Sequence, residues 1–254
     1  MISFSSIIGA LIVITAGILL LVFTFQYKKA GDLPHSLRSI PAFDRLQRAL
    51  GLSVENGKRL HVALGNSNMV SQNSPAGLIG LRTLERVAQL SIISDHPPVV
   101  TSGDGALSIL SQDTLRAAYQ EGNVQEQYDP DRGRLAGVSP LSYVAGALPE
   151  TRGSEVSAHL IVGNYGPEVA LLTEAAEREK TFTLAASDSI PGQAALFATA
   201  QESLIGEEMY AMPAYLSAGP AHTASLKTQD ILRWVILAVT FITAVLRLLG
   251  VQIL

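Results

Sequence analysis

The chain has 254 residues, a formal net charge of −4 and no cysteine. The missing cysteines exclude a disulfide scaffold and thiolate metal sites, and the mild acidity argues against nucleic acid, which selects a strongly basic patch. Hydrophobic side chains reach 48% and charged ones only 16%, and this bias is concentrated at the two ends of the chain.

Residues 1–27 carry no charged side chain, and "IIGALIVITAGILLLVFTF" (7–25) runs uninterrupted. A bilayer core needs about 20 such residues in a helix. A cleaved signal peptide would show a basic start, a shorter core and a small-residue cleavage site; here "YKK" follows instead. The spacing therefore predicts a retained transmembrane anchor over 1–27. Within it Ser3, Ala10, Gly17 and Thr24 recur every seven residues, a small-residue seam of the kind that lets helices approach closely.

A juxtamembrane segment (28–57) follows, with one short amphipathic helix expected near 41–51, opened by Pro41 and stopped by Gly51. An α/β domain is expected over 58–217. "RLHVALG" (59–65), "PVVTSG" (98–103), "RLAGVS" (134–139), "AHLIVGN" (158–164) and "TFTLAAS" (181–187) read as strands, each followed by a helical pattern. About five short strands alternating with helices predict a Rossmann-like parallel sheet covered on both faces. The last helical pattern is read as one long helix over 191–211.

In such sheets ligands meet the carboxyl ends of the strands. Those ends are rich in Gly, Ser, Asn and Asp, and the residues placed for a ligand are Gly103, Asp104, Gly163, Asn164 and Ser187. The same residue types also serve tight turns and helix caps without any ligand. Neither G-x-G-x-x-G nor a Walker lysine is present, so no cofactor is assigned. The five histidines are scattered with no metal-binding spacing, and His61 and His159 read as core or edge residues of strands. No catalytic residue and no metal ligand is assigned.

"LIGEEMYAMPAYL" (204–216) places two glutamates in an apolar run. Continued helical phase from Phe197 puts Glu208 on the apolar stripe and Glu207 on its margin. Glu208 is thus expected as a buried polar anchor, with Pro213 kinking the helix. After a linker (218–233), "WVILAVTFITAVLRLLGVQIL" (234–254) has the length of a second transmembrane helix. Arg247 lies seven residues from its end, where snorkelling is the favoured reading.

Residues 27–233 hold all 22 acidic and 17 of the 18 basic side chains. Lys28, Lys29, Arg38 and Arg45 flank the first span and Lys227 and Arg233 the second, so the positive-inside rule predicts a cytoplasmic domain. The absence of cysteine agrees with that side of the membrane.

The strand and polar loop at 59–68, "TSGDGALSILSQDTLRAAY" (101–119), "VGNYGPEVALLTEA" (162–175), "SLIGEEMYAMPAYL" (203–216) and "SLKTQDILRW" (225–234) together resemble an uncharacterised family of bacterial membrane-anchored proteins, a domain of unknown function. The resemblance covers most of residues 57–245. It implies an α/β domain attached to the bacterial inner membrane and brings no substrate, cofactor or catalytic residue. The expected role is structural: assembly or partner binding by self-association or within a larger membrane complex. The alternative is a small-molecule or nucleotide-binding enzyme or sensor using the strand-end loops.

Overall fold

The computed structural model describes residues 4–30, 37–69, 74–92, 96–153, 155–217 and 219–249. The chain divides into two compact units, Met1–Leu37 with Gly219–Leu254, and Arg38–Ala218.

The first unit consists of helices α1 (Phe4–Ala30) and α9 (Pro220–Leu248), which pack along each other. Both are long and apolar enough to cross a membrane, and their most apolar stretches are unburied. The structure extends α9 back to Pro220, through the residues expected as a linker. Proline at the first helical position suits that start, and the polar stretch 220–233 simply continues the helix. Of the seven-residue seam, Ser3 lies outside the described residues, while Ala10 and Gly17 stay exposed. A Cβ added at Gly17 would meet nothing within 4 Å. The less exposed positions of α1 are Ala16, Leu19, Phe23, Thr24 and Tyr27, so of the seam's described positions only Thr24 lies on this stripe.

The second unit is a six-stranded sheet, all parallel, in the order β3-β2-β1-β4-β5-β6. Its elements are α2 (Pro41–Glu55), β1 (Arg59–Gly65), α3 (Ser74–Ser91), β2 (Val99–Ser102), α4 (Gly105–Glu121), β3 (Gly133–Leu135), α5 (Pro140–Thr151), β4 (Val156–Asn164), α6 (Ala170–Arg178), β5 (Phe182–Ser187), α7 (Ile190–Thr199), β6 (Glu202–Leu204) and α8 (Glu208–Tyr215). This is the doubly wound order in which the winding reverses between β1 and β4.

Alternation along the strands divides the core in two. Leu60, Val62, Leu64, Leu160, Val162 and Leu184 point toward α2, α3, α4 and α8, forming the larger cluster with Phe43, Leu46, Leu84 and Leu115. Ala63, Ile161 and Ala185 point the other way, toward Tyr143, Val144 and Ala147 of α5, Leu172 of α6 and Leu196 of α7.

Three boundaries differ from expectation. The sheet has a sixth strand, β6, because Glu202–Leu204 pair with Leu184–Ala186 on an edge that a helix would leave open. The long helix over 191–211 is therefore two helices separated by a strand and by Gly206, whose φ of +64° suits glycine. Helix α2 runs through Gly51 to Glu55 and ends at Gly57, which has φ +59°. It belongs to the core of this unit, with Phe43, Leu46 and Leu50 buried.

Candidate functional site

The switch point lies between the ends of β1 and β4. Gly103, Asp104, Gly163, Asn164 and Ser187 all fall on this carboxyl edge of the sheet, and Gly163 and Ser187 are register partners.

The loops at this edge are bonded to one another. The Gly103 amide donates to the Gly65 carbonyl at 2.8 Å, and the Asn66 amide donates to the Asn164 carbonyl at 3.1 Å. The Asn164 amide donates to Ser67 Oγ at 2.8 Å, and its side-chain Nδ2 donates to Asp188 Oδ1 at 2.6 Å. Ser187 Oγ accepts from the amides of Tyr165 (3.1 Å) and Ser189 (3.2 Å). Glycine at 103 and 163 serves close approach of protein to protein: a Cβ at Gly103 would stand 1.6 Å from Asn66 Oδ1, and one at Gly163 would stand 2.1 Å from the Leu64 carbonyl oxygen.

The helix N-termini at this edge are also engaged. Asp104 Oδ1 accepts from the Leu107 amide at 3.0 Å, Ser139 and Ser142 form a capping box on α5, and Ser189 accepts from the Gly192 amide. Glu168 Oε1 accepts from the Gly166 amide at 2.7 Å, ahead of α6. Carboxylates at two of these termini take the position an anion would hold. Asn66 Oδ1 and the buried Ser102 Oγ are among the groups there that lack a hydrogen-bond partner among the described residues.

Sequence reasoning missed a buried polar row on the α5–α7 face of the sheet. His61 and His159 are register partners on β1 and β4, and Thr183 is the partner of His159 on β5. His61 Nδ1 and His159 Nδ1 are hydrogen-bonded at 3.2 Å, one ring donating according to its tautomer, and His61 Nε2 bonds Thr101 Oγ1 at 3.0 Å. Thr101 Oγ1 bonds Tyr143 OH at 3.0 Å, and that hydroxyl accepts from the Gly65 amide at 3.3 Å. The row thus reaches the switch point. Burial drives the pKa of His159 down to about 4. Burial first, and His159 second, lowers that of His61 well below its usual value. Burial raises those of Tyr143 and Tyr165. Both imidazoles are therefore neutral near pH 7. The sequence signal was two histidines, each near the start of an apolar strand; what it lacked was the register that joins them.

Glu208 and Pro213 sit in α8. Glu208 opens the helix half-buried, where the macrodipole favours a carboxylate. The buried position expected from continued helical phase is not found, because β6 interrupts that phase. Pro213 is buried five residues further on. Helix α7, by contrast, turns Ile190, Pro191, Ala194, Phe197 and Ala198 to solvent, with Ile190 82% and Phe197 76% exposed. No group of three or more metal-ligating side chains occurs among the described residues.

A family model matches residues 2–254 and is described as a domain of unknown function, DUF6754. No curated protein and no solved structure matches the chain.

Proposed function

Since the chain belongs to this family over nearly its whole length, and the family description carries no activity, we propose that the protein acts through contact rather than catalysis. It is a membrane-attached α/β module that self-associates or joins a larger complex in the bacterial inner membrane, with the α/β unit on the cytoplasmic side. The observation that carries this reading is the outer side of α7. Ile190, Pro191, Ala194, Phe197 and Ala198 form an uncharged apolar strip in water, whereas an ordinary surface helix turns polar residues outward. Burying Phe197 and Ile190 would contribute about 1.5–3 kcal/mol each. The flanking basic residues support the cytoplasmic side.

The test is the mass of the full chain in detergent or nanodiscs. Wild type should sediment as an oligomer, and Phe197→Glu should reduce the mass with unchanged thermal unfolding. An unchanged mass, with Ile190→Glu equally silent, would remove α7 as the contact. Protease added to intact spheroplasts should leave the α/β unit whole.

The second reading is ligand binding at the switch point, with Gly103, Asp104, Gly163, Asn164 and Ser187 around the ligand. The strand order and the two unpartnered groups, Asn66 Oδ1 and Ser102 Oγ, favour it. A nucleotide panel that shifts the unfolding temperature of wild type and not of Ser102→Ala would support it.

A further inference from the structure

Helix α7 leaves an apolar ridge uncovered, and the charge around that ridge decides what fits it. Ile190, Ala194, Phe197 and Ala198 follow the i, i+4, i+7, i+8 spacing of one helix face, over about 12 Å of its length. All four are exposed. Ile205, exposed as well, stands in the loop that returns beside α7, where the Gly206 amide donates to Gln193 Oε1 at 3.2 Å. A ridge of this spacing seats in the groove of a second helix, whose axis then lies about 8–10 Å away. An exposed apolar surface rimmed by polar groups marks a place of contact.

The rim is acidic. Asp188 stands immediately before Ser189, the N-cap of α7. Glu168 belongs to the turn Pro167–Val169, which packs on α7. The loop held by Gln193 carries Glu207, and Glu208 follows it at the start of α8. Each of the four carboxylates is at least partly exposed. The Asn164 side-chain amide bonds Asp188 and the Gly166 backbone amide bonds Glu168, and these neutral donors leave both charges in place. The sequence brings no base to them, since residues 153–177 and 181–217 contain neither lysine nor arginine. Arg178 and Lys180 fall between those stretches, at the far end of α6.

We propose that the α7 ridge docks a cationic amphipathic helix of another protein, with its apolar side on Ile190 and Phe197 and its lysines or arginines on the four carboxylates. This rests on the reading of α7 as the contact surface, and it names the partner. Helix-on-helix docking supplies apolar anchors at the ridge spacing, and the charges supply orientation and choice of partner. Two other occupants fit less well. A second copy meeting strip to strip adds four more carboxylates and no base to the contact. An anionic membrane surface would repel the rim. Self-association through α7 therefore yields to the cationic partner.

The experiment uses the full chain in phosphatidylcholine nanodiscs, with empty nanodiscs subtracting whatever binds lipid. The probes are short synthetic amphipathic helices with one leucine face and with lysine, glutamine or glutamate on the other. The lysine peptide should bind about tenfold more tightly than the glutamine one, and the glutamate peptide most weakly. Added salt should erase that advantage. Phe197→Gln and Ile190→Gln should each weaken the lysine peptide about tenfold. Glu207→Gln combined with Glu208→Gln should weaken it about fivefold and leave the glutamine peptide unchanged. Thermal unfolding confirms that each variant keeps its fold. As the lysine peptide is added, the mass of an oligomer held by α7 should fall. Equal binding of the lysine and glutamine peptides overturns the cationic partner and leaves α7 as the contact. Lysine-peptide binding that ignores both Phe197→Gln and Ile190→Gln lies elsewhere and removes the α7 reading itself. No binding above that of empty nanodiscs overturns the proposal.

Discussion

The two faces of the sheet are built on different principles. The face toward α2, α3, α4 and α8 is a continuous apolar cluster of leucine, valine and methionine. The face toward α5, α6 and α7 has a smaller apolar cluster and shares its space with His61, Thr101, His159 and Thr183. A parallel sheet covered on both sides needs no polar residue in either layer. One face therefore carries most of the stability, and the other keeps polar chemistry in the interior. The proposed contact strip belongs to a helix of the second face.

Neighbouring residues on β4 test this division most directly. Leu160 and Ile161 are both buried, on opposite faces. Leu160→Ala should cost about 4 kcal/mol and Ile161→Ala about 2 kcal/mol, within the range of roughly 2–5 kcal/mol for such truncations. Denaturant unfolding measures both, and equal losses would break the comparison.

Acid should act on the second face through its buried imidazoles. The unfolded imidazole titrates near 6.5, while burial holds His159 at about 4 in the folded state. The unfolded chain thus binds more protons between these values. Stability is full above pH 6.5 and is lost as pH falls toward 4, by up to about 3 kcal/mol for this one group. His61, also depressed, adds to the loss in the same direction. Stability measured from pH 7 to pH 4 should show this fall in wild type and a shallower one in His159→Gln. Identical slopes would show that His159 is not held neutral by the fold.

The smallest expected effect is a gain on the apolar face. Gly51 lies inside α2 with open space where a Cβ would go. Gly51→Ala should stabilise by about 0.4–1 kcal/mol, mostly by restricting the unfolded chain. A loss instead would mean that α2 needs its glycine for packing.

Gly51 also illustrates how far the sequence could be read. A glycine after an apolar period looks like a stop, yet the terminator is Gly57, the one that adopts positive φ. β1, β2, β4 and β5 were legible because they are apolar runs buried on both faces. β6 was not, since three residues hold no period, and its strand state comes from pairing with β5. That hidden strand is also why the helical phase carried from Phe197 to Glu208 failed. At the strand ends, Gly103, Asp104, Gly163, Asn164 and Ser187 were legible as an edge because loop composition marks it. Their bonds to one another were not, because they join loops far apart in the chain. The histidine row was hidden for a related reason: its members are 98 residues apart.

The α/β unit is an insertion between two helices that pack together. Its ends are tied, since Tyr215 donates its hydroxyl proton to the Arg38 carbonyl. Residues Arg38–Ala218 must be synthesised before α9 exists. At about 5–20 residues per second, α1 therefore waits roughly 10–40 s on the ribosome without its partner. During that interval the side of α1 that packs on α9 is unpaired. The order of synthesis thus makes the α1–α9 helix pair one of the last contacts of the chain to form.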